Sequence, residues 1–155
     1  MEIRTLKKAD LGGTLDLVKK MADYHHGLSD FYKPSADYEN WEGMASDWLN
    51  DPDMQLFVAE DAGKIVGYIR AGVEEAPEYS SEKKIGIVYD TLVSEGSRRQ
   101  GIAAQLFEKA LAWLKKKKVN FIELNVDARN EGAIEFWKRS GFGTVKLRMR
   151  RKISE

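Results

Sequence analysis

Cysteine is absent from this 155-residue chain. Its absence excludes a disulfide scaffold, a thiolate nucleophile and a cysteine-ligated metal site, and it is compatible with a reducing compartment. Long apolar runs are also missing: the first eight residues contain no signal-peptide core, and no stretch approaches the length of a membrane span. We therefore expect a cytoplasmic protein that does not contact a membrane.

An excess of charge of either sign is missing too, because 25 Lys and Arg residues balance 25 Asp and Glu residues. No global field attracts nucleic acid, so any basic site must be local. What is present is a composition of 43% hydrophobic and 32% charged residues, which argues against disorder. The length suits one compact domain, which we predict to span residues 1–155.

The most informative stretch combines a predicted strand, a short polar loop and the start of a helix. Ile85–Val93 is rich in β-branched residues, as strands are. From Ile102 onward, apolar residues recur with the 3.6-residue period of an amphipathic helix. The loop between them therefore ends at a helix N-terminus.

Two arginines in this loop occupy an electrostatically unfavourable place. Arg98 and Arg99 precede or enter the first helical turn, where free N–H groups and the helix dipole disfavour cations. Gly101 and Ala103 are small enough for a ligand to approach the backbone, and a helix N-terminus binds phosphate readily. The pattern predicts an anion site; the alternative is a solvated turn in which glycine only eases the bend.

A second predicted strand, Phe121–Val126, follows this helix, and a further pattern comes after it. The two patterns together resemble the GNAT superfamily of acyl-CoA-dependent N-acyltransferases, because their order and separation match as well as their residues. The residues that carry the resemblance are Arg98-x-x-Gly101-x-Ala103 and Asn130-x-x-Ala133-Ile134-x-Phe136-Trp137-x-x-x-Gly141-Phe142.

The remaining elements predict an α/β (α+β) fold, in which a mixed sheet is flanked by about four helices. The early strands pair as an antiparallel meander, and a right-handed βαβ unit makes the last pair parallel. The resemblance implies the same fold, with this parallel pair splayed to admit the pantetheine arm of CoA. The other predicted elements are a strand Glu2–Leu6, a helix capped by Asp10, a helix Ala36–Leu49 capped by Ser35, a hairpin of Gln55–Glu60 with Lys64–Val73, a helix Glu131–Arg139 and a last strand Thr144–Ile153.

The resemblance implies acetyl-CoA as co-substrate. A main-chain N–H near Leu92 or Val93 would polarise the thioester carbonyl, a role that suits a preorganised backbone donor. Asn130 would bind the pantetheine arm or, as an alternative, cap a helix. The pyrophosphate would lie on the backbone of Arg98, Arg99, Gln100, Gly101, Ile102 and Ala103.

The catalytic residues are less determined. Trp137 stands where many family members have a tyrosine thought to protonate the departing thiolate, and an indole cannot release its proton near neutral pH. It would steady the sulfur or simply pack. Asp90 and Tyr89 are the candidate bases, and as neighbours on one strand they share a cleft only if the strand has a bulge. The alternative for Asp90 is a structural role, in which its side chain bonds to a neighbouring loop.

The sequence does not identify the acceptor, which we expect to be a primary amine of a small molecule or peptide. His25 and His26, which we place in the connection between the first two helices, lack the spacing of metal ligands, and we predict no metal site. The family commonly has two strands after Gly141-Phe142, but this chain has room for one. The acceptor site would then be open, or completed by another subunit of a homodimer.

Two other functions remain to be distinguished from direct acetyl transfer. One is a non-catalytic module that binds CoA as a sensor or regulatory subunit, which the tyrosine-to-Trp137 departure keeps open. The other is a nucleotide-phosphate binder, which the loop disfavours because it lacks the order and the lysine of a P-loop.

Overall fold

The computed structural model describes residues 1–38 and 40–154. Residue contacts divide the chain into two compact units, Met1–Asn125 and Val126–Glu155. The single domain expected over residues 1–155 stays a prediction. Among the described residues, no helix combines the length and the apolar character that a bilayer span requires.

One five-stranded sheet forms the centre of the first unit. In chain order its strands are β1 (Glu2–Thr5), β2 (Met54–Asp61), β3 (Lys64–Glu75), β4 (Lys84–Val93) and β5 (Ile122–Leu124). They lie in the order β1-β2-β3-β4-β5, and every pair is antiparallel except β4 with β5, which is parallel. The predicted fold class is confirmed.

The sheet is covered on both faces. The helices are α1 (Leu11–Leu28), α2 (Trp41–Asn50), α3 (Ile102–Lys116) and, in the second unit, α4 (Glu131–Arg139). Buried residues of α1 and α2 form a core with Leu56, Val58 and Tyr68 of the sheet. On the other face α3 packs closely on β3, where a Cβ placed on Gly67 would lie 3.0 Å from side-chain atoms of Ile102 and Leu106.

The predicted hairpin is confirmed between β2 and β3. Its turn contains Ala62 at φ 48° and Gly63 at φ 78°, and two successive left-handed residues are typical of a two-residue hairpin turn. This turn fixes the register in which Asp61 pairs with Lys64.

The predicted boundaries of the two N-terminal helices are wrong. α1 continues to Leu28, so that His25 and His26 lie in its last turns and not in a connection. α2 begins at Trp41, five residues after the predicted start, and Ser35 does not cap it. The Asp23 carboxylate instead accepts hydrogen bonds from the Ser35 N–H at 2.9 Å and the Ser35 hydroxyl at 3.0 Å. These bonds hold the α1–α2 connection as a short 3-10 turn.

The predicted last strand, Thr144–Ile153, is not observed among the described residues. Residues 143–154 contain no assigned strand and are all exposed.

Candidate functional site

Among the described residues, the second half of β4 has a neighbouring strand on one side only. β4 pairs with β5 from Gly86 to Val88, whereas its pairing with β3 continues to Val93. The Ser94 N–H donates to the Val66 carbonyl at 2.8 Å. Because antiparallel bonds alternate, Leu92 also points its N–H to β3, while Thr91 and Val93 point theirs away from it. Of the two candidate donors, Leu92 is therefore bonded within the sheet, whereas the Val93 N–H has no ladder partner among the described strands.

The Thr91 hydroxyl is buried and has no hydrogen-bond partner among the described residues. Thr91 pairs with Ile69, on the sheet face that α3 covers. An unsatisfied buried hydroxyl costs about 1–3 kcal/mol, and Thr91 shares this state with Trp41 and Tyr68, so its hydroxyl is a candidate contact for a bound ligand. Sequence reasoning missed Thr91, because threonine is ordinary in a strand and only its burial without a partner is informative.

The open edge of β4 leads into the predicted anion loop. Gly101 is the N-cap of α3 at φ 74°, no side chain caps the helix, and its first turn has no acidic residue. A Cβ placed on Gly101 would meet no atom within 4 Å. Among the described residues, no side chain therefore caps the start of α3, which leaves its first N–H groups available to an anion.

The arginines of the loop add positive charge near this helix N-terminus. Arg98, Arg99 and Gln100 are exposed, and the Arg98 Nε donates to the Val93 carbonyl at 3.3 Å. Arg99 has φ 63°, which is uncommon for a residue with a side chain. Strained backbone of this kind clusters at ligand sites.

A β-bulge brings both candidate bases to one face of the sheet. Arg70 pairs with Asp90, but the next residue, Ala71, pairs with Val88, which leaves Tyr89 as the extra residue of β4. The Arg70 guanidinium shows the result, because its Nε donates to Asp90 Oδ2 at 2.8 Å and its carbon lies 4.5 Å from the Tyr89 ring centroid. The sequence predicted that Tyr89 and Asp90 share a cleft only if their strand has a bulge, and this bulge is present.

Asp90 is held by one carboxylate oxygen only. Its side chain is 19% exposed, and among the described residues Oδ1 accepts no hydrogen bond. Arg70 is itself fixed, since it stacks 3.7 Å from the Trp48 ring centroid of α2. Burial raises the pKa of Tyr38 and of Tyr68, and the nearby Asp90 carboxylate raises both further. The Asp90 carboxylate is thus held in a fixed position close to aromatic rings, and most of it is shielded from solvent.

Tyr89 is a poor base. Its hydroxyl donates a hydrogen bond to Glu74 Oε1. Burial raises the pKa of Tyr89, and the bond to the Glu74 carboxylate raises it further, so the phenol stays protonated at neutral pH. Tyr89 is therefore disfavoured as the base, and a role of Asp90 as base stays a prediction.

In the second unit, the two site residues expected there have structural roles. Asn130 Oδ1 accepts a hydrogen bond from the Ala133 N–H at 3.2 Å and so caps α4. Trp137 is 8% exposed, and its ring lies 4.8 Å from that of Phe136 and 5.3 Å from that of Phe142. The capping and packing alternatives are thus observed, while a role of either residue toward a cofactor stays a prediction.

Comparison with known proteins decides the family. The sequence model of the Acetyltransferase (GNAT) family matches residues 21–142, which include the loop, the bulge and α4. The chain belongs to this family. Membership places it among the acetyl-CoA-dependent acyltransferases, as the two motifs predicted.

Curated relatives agree with this assignment. An uncharacterized N-acetyltransferase of Methanocaldococcus jannaschii is 30% identical over 141 residues, which are 90% of this chain but only 59% of that protein. An uncharacterized N-acetyltransferase of Archaeoglobus fulgidus is 31% identical over 139 residues, 88% of this chain and 89% of that protein. An N-alpha-acetyltransferase of Sulfurisphaera tokodaii is 31% identical over 64% of this chain and 62% of that protein.

Solved structures share the fold of this GNAT chain. A Bacillus halodurans protein superposes with a TM-score of 0.90 at 22% identity, over 99% of this chain and 100% of its own. The aminoglycoside N-acetyltransferase AAC(6')-Iy, solved with CoA, superposes with a TM-score of 0.79 at 18% identity, over 99% of this chain and 95% of its own. At these identities the likeness establishes the fold alone.

Proposed function

We propose that this protein transfers the acetyl group of acetyl-CoA to a primary amine of a small molecule or peptide by direct attack. The observation that carries the proposal is the arrangement along β4: a carboxylate at the bulge, an open backbone edge, and an uncapped helix N-terminus, in that order. Acyl transfer needs a proton acceptor, a carbonyl polariser and a cofactor holder, and these three features supply them.

The cofactor fits the groups that the chain leaves unsatisfied. The backbone of residues 98–103 would hold the pyrophosphate, with the two arginine side chains as additional cations. The open edge of β4 and the Thr91 hydroxyl would bind the amide-bearing pantetheine arm. When bound, acetyl-CoA supplies an activated thioester carbonyl.

The N–H of Val93 or Thr91 is the proposed polariser of that carbonyl. Both donors belong to a strand that is held by β3, so neither has to reorient during the reaction. Fixed donors aimed at developing negative charge are worth about 2.7–4 kcal/mol of barrier each in enzymes where one has been removed.

Asp90 is the proposed base. Its free Oδ1 attracts an ammonium group and takes one proton from it, directly or through water, which leaves the neutral amine as nucleophile. Arg70 positions this carboxylate by holding Oδ2. Trp137 cannot release a proton, and the pKa of Tyr89 is raised. When the C–S bond breaks, the nitrogen therefore loses its second proton to water, and the thiolate leaves unprotonated or is protonated by water.

The test is an acetylation assay that follows thiol release from acetyl-CoA over a panel of polyamines, aminoglycosides, amino acids and peptides. We expect Asp90→Asn to lower kcat by about 10²-fold or more at neutral pH without changing acetyl-CoA affinity. Asp61→Asn, which removes an exposed carboxylate at the β2–β3 hairpin, is the matched control. Thermal unfolding of each variant checks that the fold is retained.

The outcomes separate the alternatives. An unchanged rate and pH profile in Asp90→Asn would show that Asp90 is not the base. Binding of acetyl-CoA with no turnover on any amine would favour the sensor or regulatory function over catalysis.

A further inference from the structure

The ion pair of Arg70 with Asp90 leaves hydrogen-bonding groups unused on both side chains. Arg70 Nε donates to Asp90 Oδ2 at 2.8 Å, and among the described residues neither side chain makes another hydrogen bond. A guanidinium also carries N–H donors on its Nη atoms, and a carboxylate has a second acceptor oxygen. The Nη groups of Arg70 and the Oδ1 atom of Asp90 are therefore available to a ligand.

These unused groups are open to solvent. Among residues 1–38 and 40–154, the buried side-chain polar atoms that lack a partner belong to Trp41, Tyr68 and Thr91. The unused atoms of Arg70 and Asp90 are thus not sealed from water, although the two side chains are only 15% and 19% exposed. A small molecule can reach them, while most of the ion pair is shielded.

Aromatic rings fix the position of the Arg70 guanidinium. Its carbon lies 3.7 Å from the Trp48 ring centroid and 4.5 Å from that of Tyr89. Burial raises the pKa of Tyr68, and the nearby Arg70 offsets part of this rise, but the Tyr68 hydroxyl makes no hydrogen bond to the guanidinium. Since rings pack against the guanidinium, its N–H edge is the part that a ligand meets.

A fixed guanidinium edge is suited to a carboxylate. The planar N–H fork of arginine matches the two oxygens of a carboxylate, and such charge-assisted bonds are stronger than neutral ones. Beside this edge, Asp90 Oδ1 attracts an ammonium group. One molecule that carries an ammonium and a carboxylate close together therefore satisfies both members of the ion pair.

The other charges near the ion pair also favour a ligand that carries both signs. Burial raises the pKa of Tyr89, and the carboxylates of Glu74 and Asp51 add to this rise, so both lie close to the ring. Together with Asp90 they repel a simple anion. A simple monoamine, in turn, would displace water from the Arg70 donors without replacing it, which costs affinity.

We propose that the acceptor is an amino acid, whose amine lies at Asp90 Oδ1 and whose carboxylate binds the Nη groups of Arg70. The inference rests on the proposed function and narrows its acceptor to one class of amine. The bond changes are those of that function: a C–N bond forms and the C–S bond breaks. The product is an N-acetylamino acid that keeps its carboxylate.

The test compares amino acids with their carboxamides, which keep the amine but lose the negative charge. Thiol release from acetyl-CoA gives kcat/KM for each pair in the unmodified protein, in Arg70→Gln and in Lys19→Gln. We expect the ratio of amino acid to carboxamide to fall about tenfold or more in Arg70→Gln. Comparing this ratio between variants cancels the different basicity of the two amines. Lys19→Gln, which removes an exposed cation of α1, should leave the ratio unchanged.

A role of Arg70 in positioning Asp90 alone predicts a different result. Arg70→Gln would then lower kcat/KM by the same factor for amino acids and carboxamides, and this result would overturn the proposal. Acetylation of other amines or peptides but of no amino acid would overturn it too. Arg70→Lys keeps the charge but not the planar fork, so it should recover only part of the ratio.

A binding measurement separates this inference from the proposed function. Amino acids are titrated calorimetrically into the protein in the presence of CoA, so that acceptor affinity is measured without turnover. We expect binding that weakens about tenfold or more in Arg70→Gln. If this binding occurs but no amine is acetylated, the proposed function fails and the carboxylate site stands. If no amino acid binds, the inference fails, whether or not other amines are acetylated.

Discussion

At the scale of single residues, the bulge at Tyr89 decides which groups act together. It turns Asp90 toward Arg70 and leaves the N–H groups of Thr91 and Val93 on the open side of β4. The proposed base and the proposed carbonyl polariser thus come from one short stretch of strand, whose rigidity preorganises both.

Thr91→Val separates a ligand role from a folding role. Valine has nearly the shape of threonine but no hydroxyl, so the free protein loses only an unsatisfied buried group. We expect its free energy of unfolding to stay constant or to rise by up to about 1 kcal/mol, while acetyl-CoA affinity falls about 5- to 10-fold. Thermal unfolding and calorimetric titration measure the two effects. A loss of stability without a loss of affinity would assign the hydroxyl to folding.

Sequence reasoning predicted the loop residues, because Gly101 and the two arginines carry their chemistry in their type and spacing. Arg70, Trp48 and Thr91 were missed, since their roles depend on strand register and on a bulge one residue long. A shift of one residue in a strand moves every side chain to the other face, and no local pattern reports it.

At the scale of elements, the close packing of α3 on β3 sets the site. Gly67 lets Ile102 of the first helical turn approach the sheet next to Val93, with which Gly67 pairs. The positive end of α3 therefore lies beside the end of β4. One bound cofactor could then reach from the proposed phosphate site at α3 to the proposed thioester site at β4.

Gly67→Ala tests this packing. A Cβ there would lie 3.0 Å from two side chains of α3, so we expect α3 to shift, stability to fall by about 1–3 kcal/mol and acetyl-CoA affinity to fall with it. Gly12→Ala in α1 is the control, since its Cβ would meet nothing within 4 Å and should slightly stabilise the helix. Equal affinities in the two variants would contradict a positioning role for the contact.

The periodic elements were predictable and the connections were not. α3 begins at its predicted position and α4 has its predicted bounds, because an amphipathic period and an asparagine cap specify them locally. The start of α2 was wrong because Ser35 bonds to Asp23, twelve residues away, and does not cap a helix. A hydrogen bond between residues this far apart cannot be predicted from a short stretch of sequence.

At the scale of the whole molecule, Arg4 joins the first strand to two distant parts of the chain. Its guanidinium donates to Asp10 at 2.7 and 2.9 Å, just before α1, and to Glu60 at the end of β2. This hydrogen bonding lowers the pKa of Asp10, with a smaller contribution from the Lys7 N–H. The ion pair of Arg4 with Asp10 therefore makes the free energy of unfolding depend on pH in the acid range.

The sign of this linkage gives a prediction. A lowered folded-state pKa stabilises the fold above the unfolded value of about 3.9, and the stabilisation is lost as pH falls through the folded value. We expect Asp10→Asn to cost about 1–3 kcal/mol at pH 7 and to unfold with a weaker pH dependence below about pH 4. Thermal unfolding from pH 7 to pH 2 measures both. Asp16→Asn, at an exposed position of α1, should match the unmodified chain; equal losses in the two variants would refute the linkage.

The central claim, that the end of β4 and the start of α3 hold acetyl-CoA, is tested most directly by calorimetric titration with acetyl-CoA. The decisive variants are Gly101→Leu and Gly63→Leu, because both glycines have a left-handed φ, 74° and 78°, and open space around a Cβ. Both substitutions therefore carry a similar backbone strain of about 1–2 kcal/mol. We expect Gly101→Leu to lose binding and Gly63→Leu to retain the unmodified affinity. Unchanged binding in Gly101→Leu, or no binding by the unmodified protein, would contradict the claim.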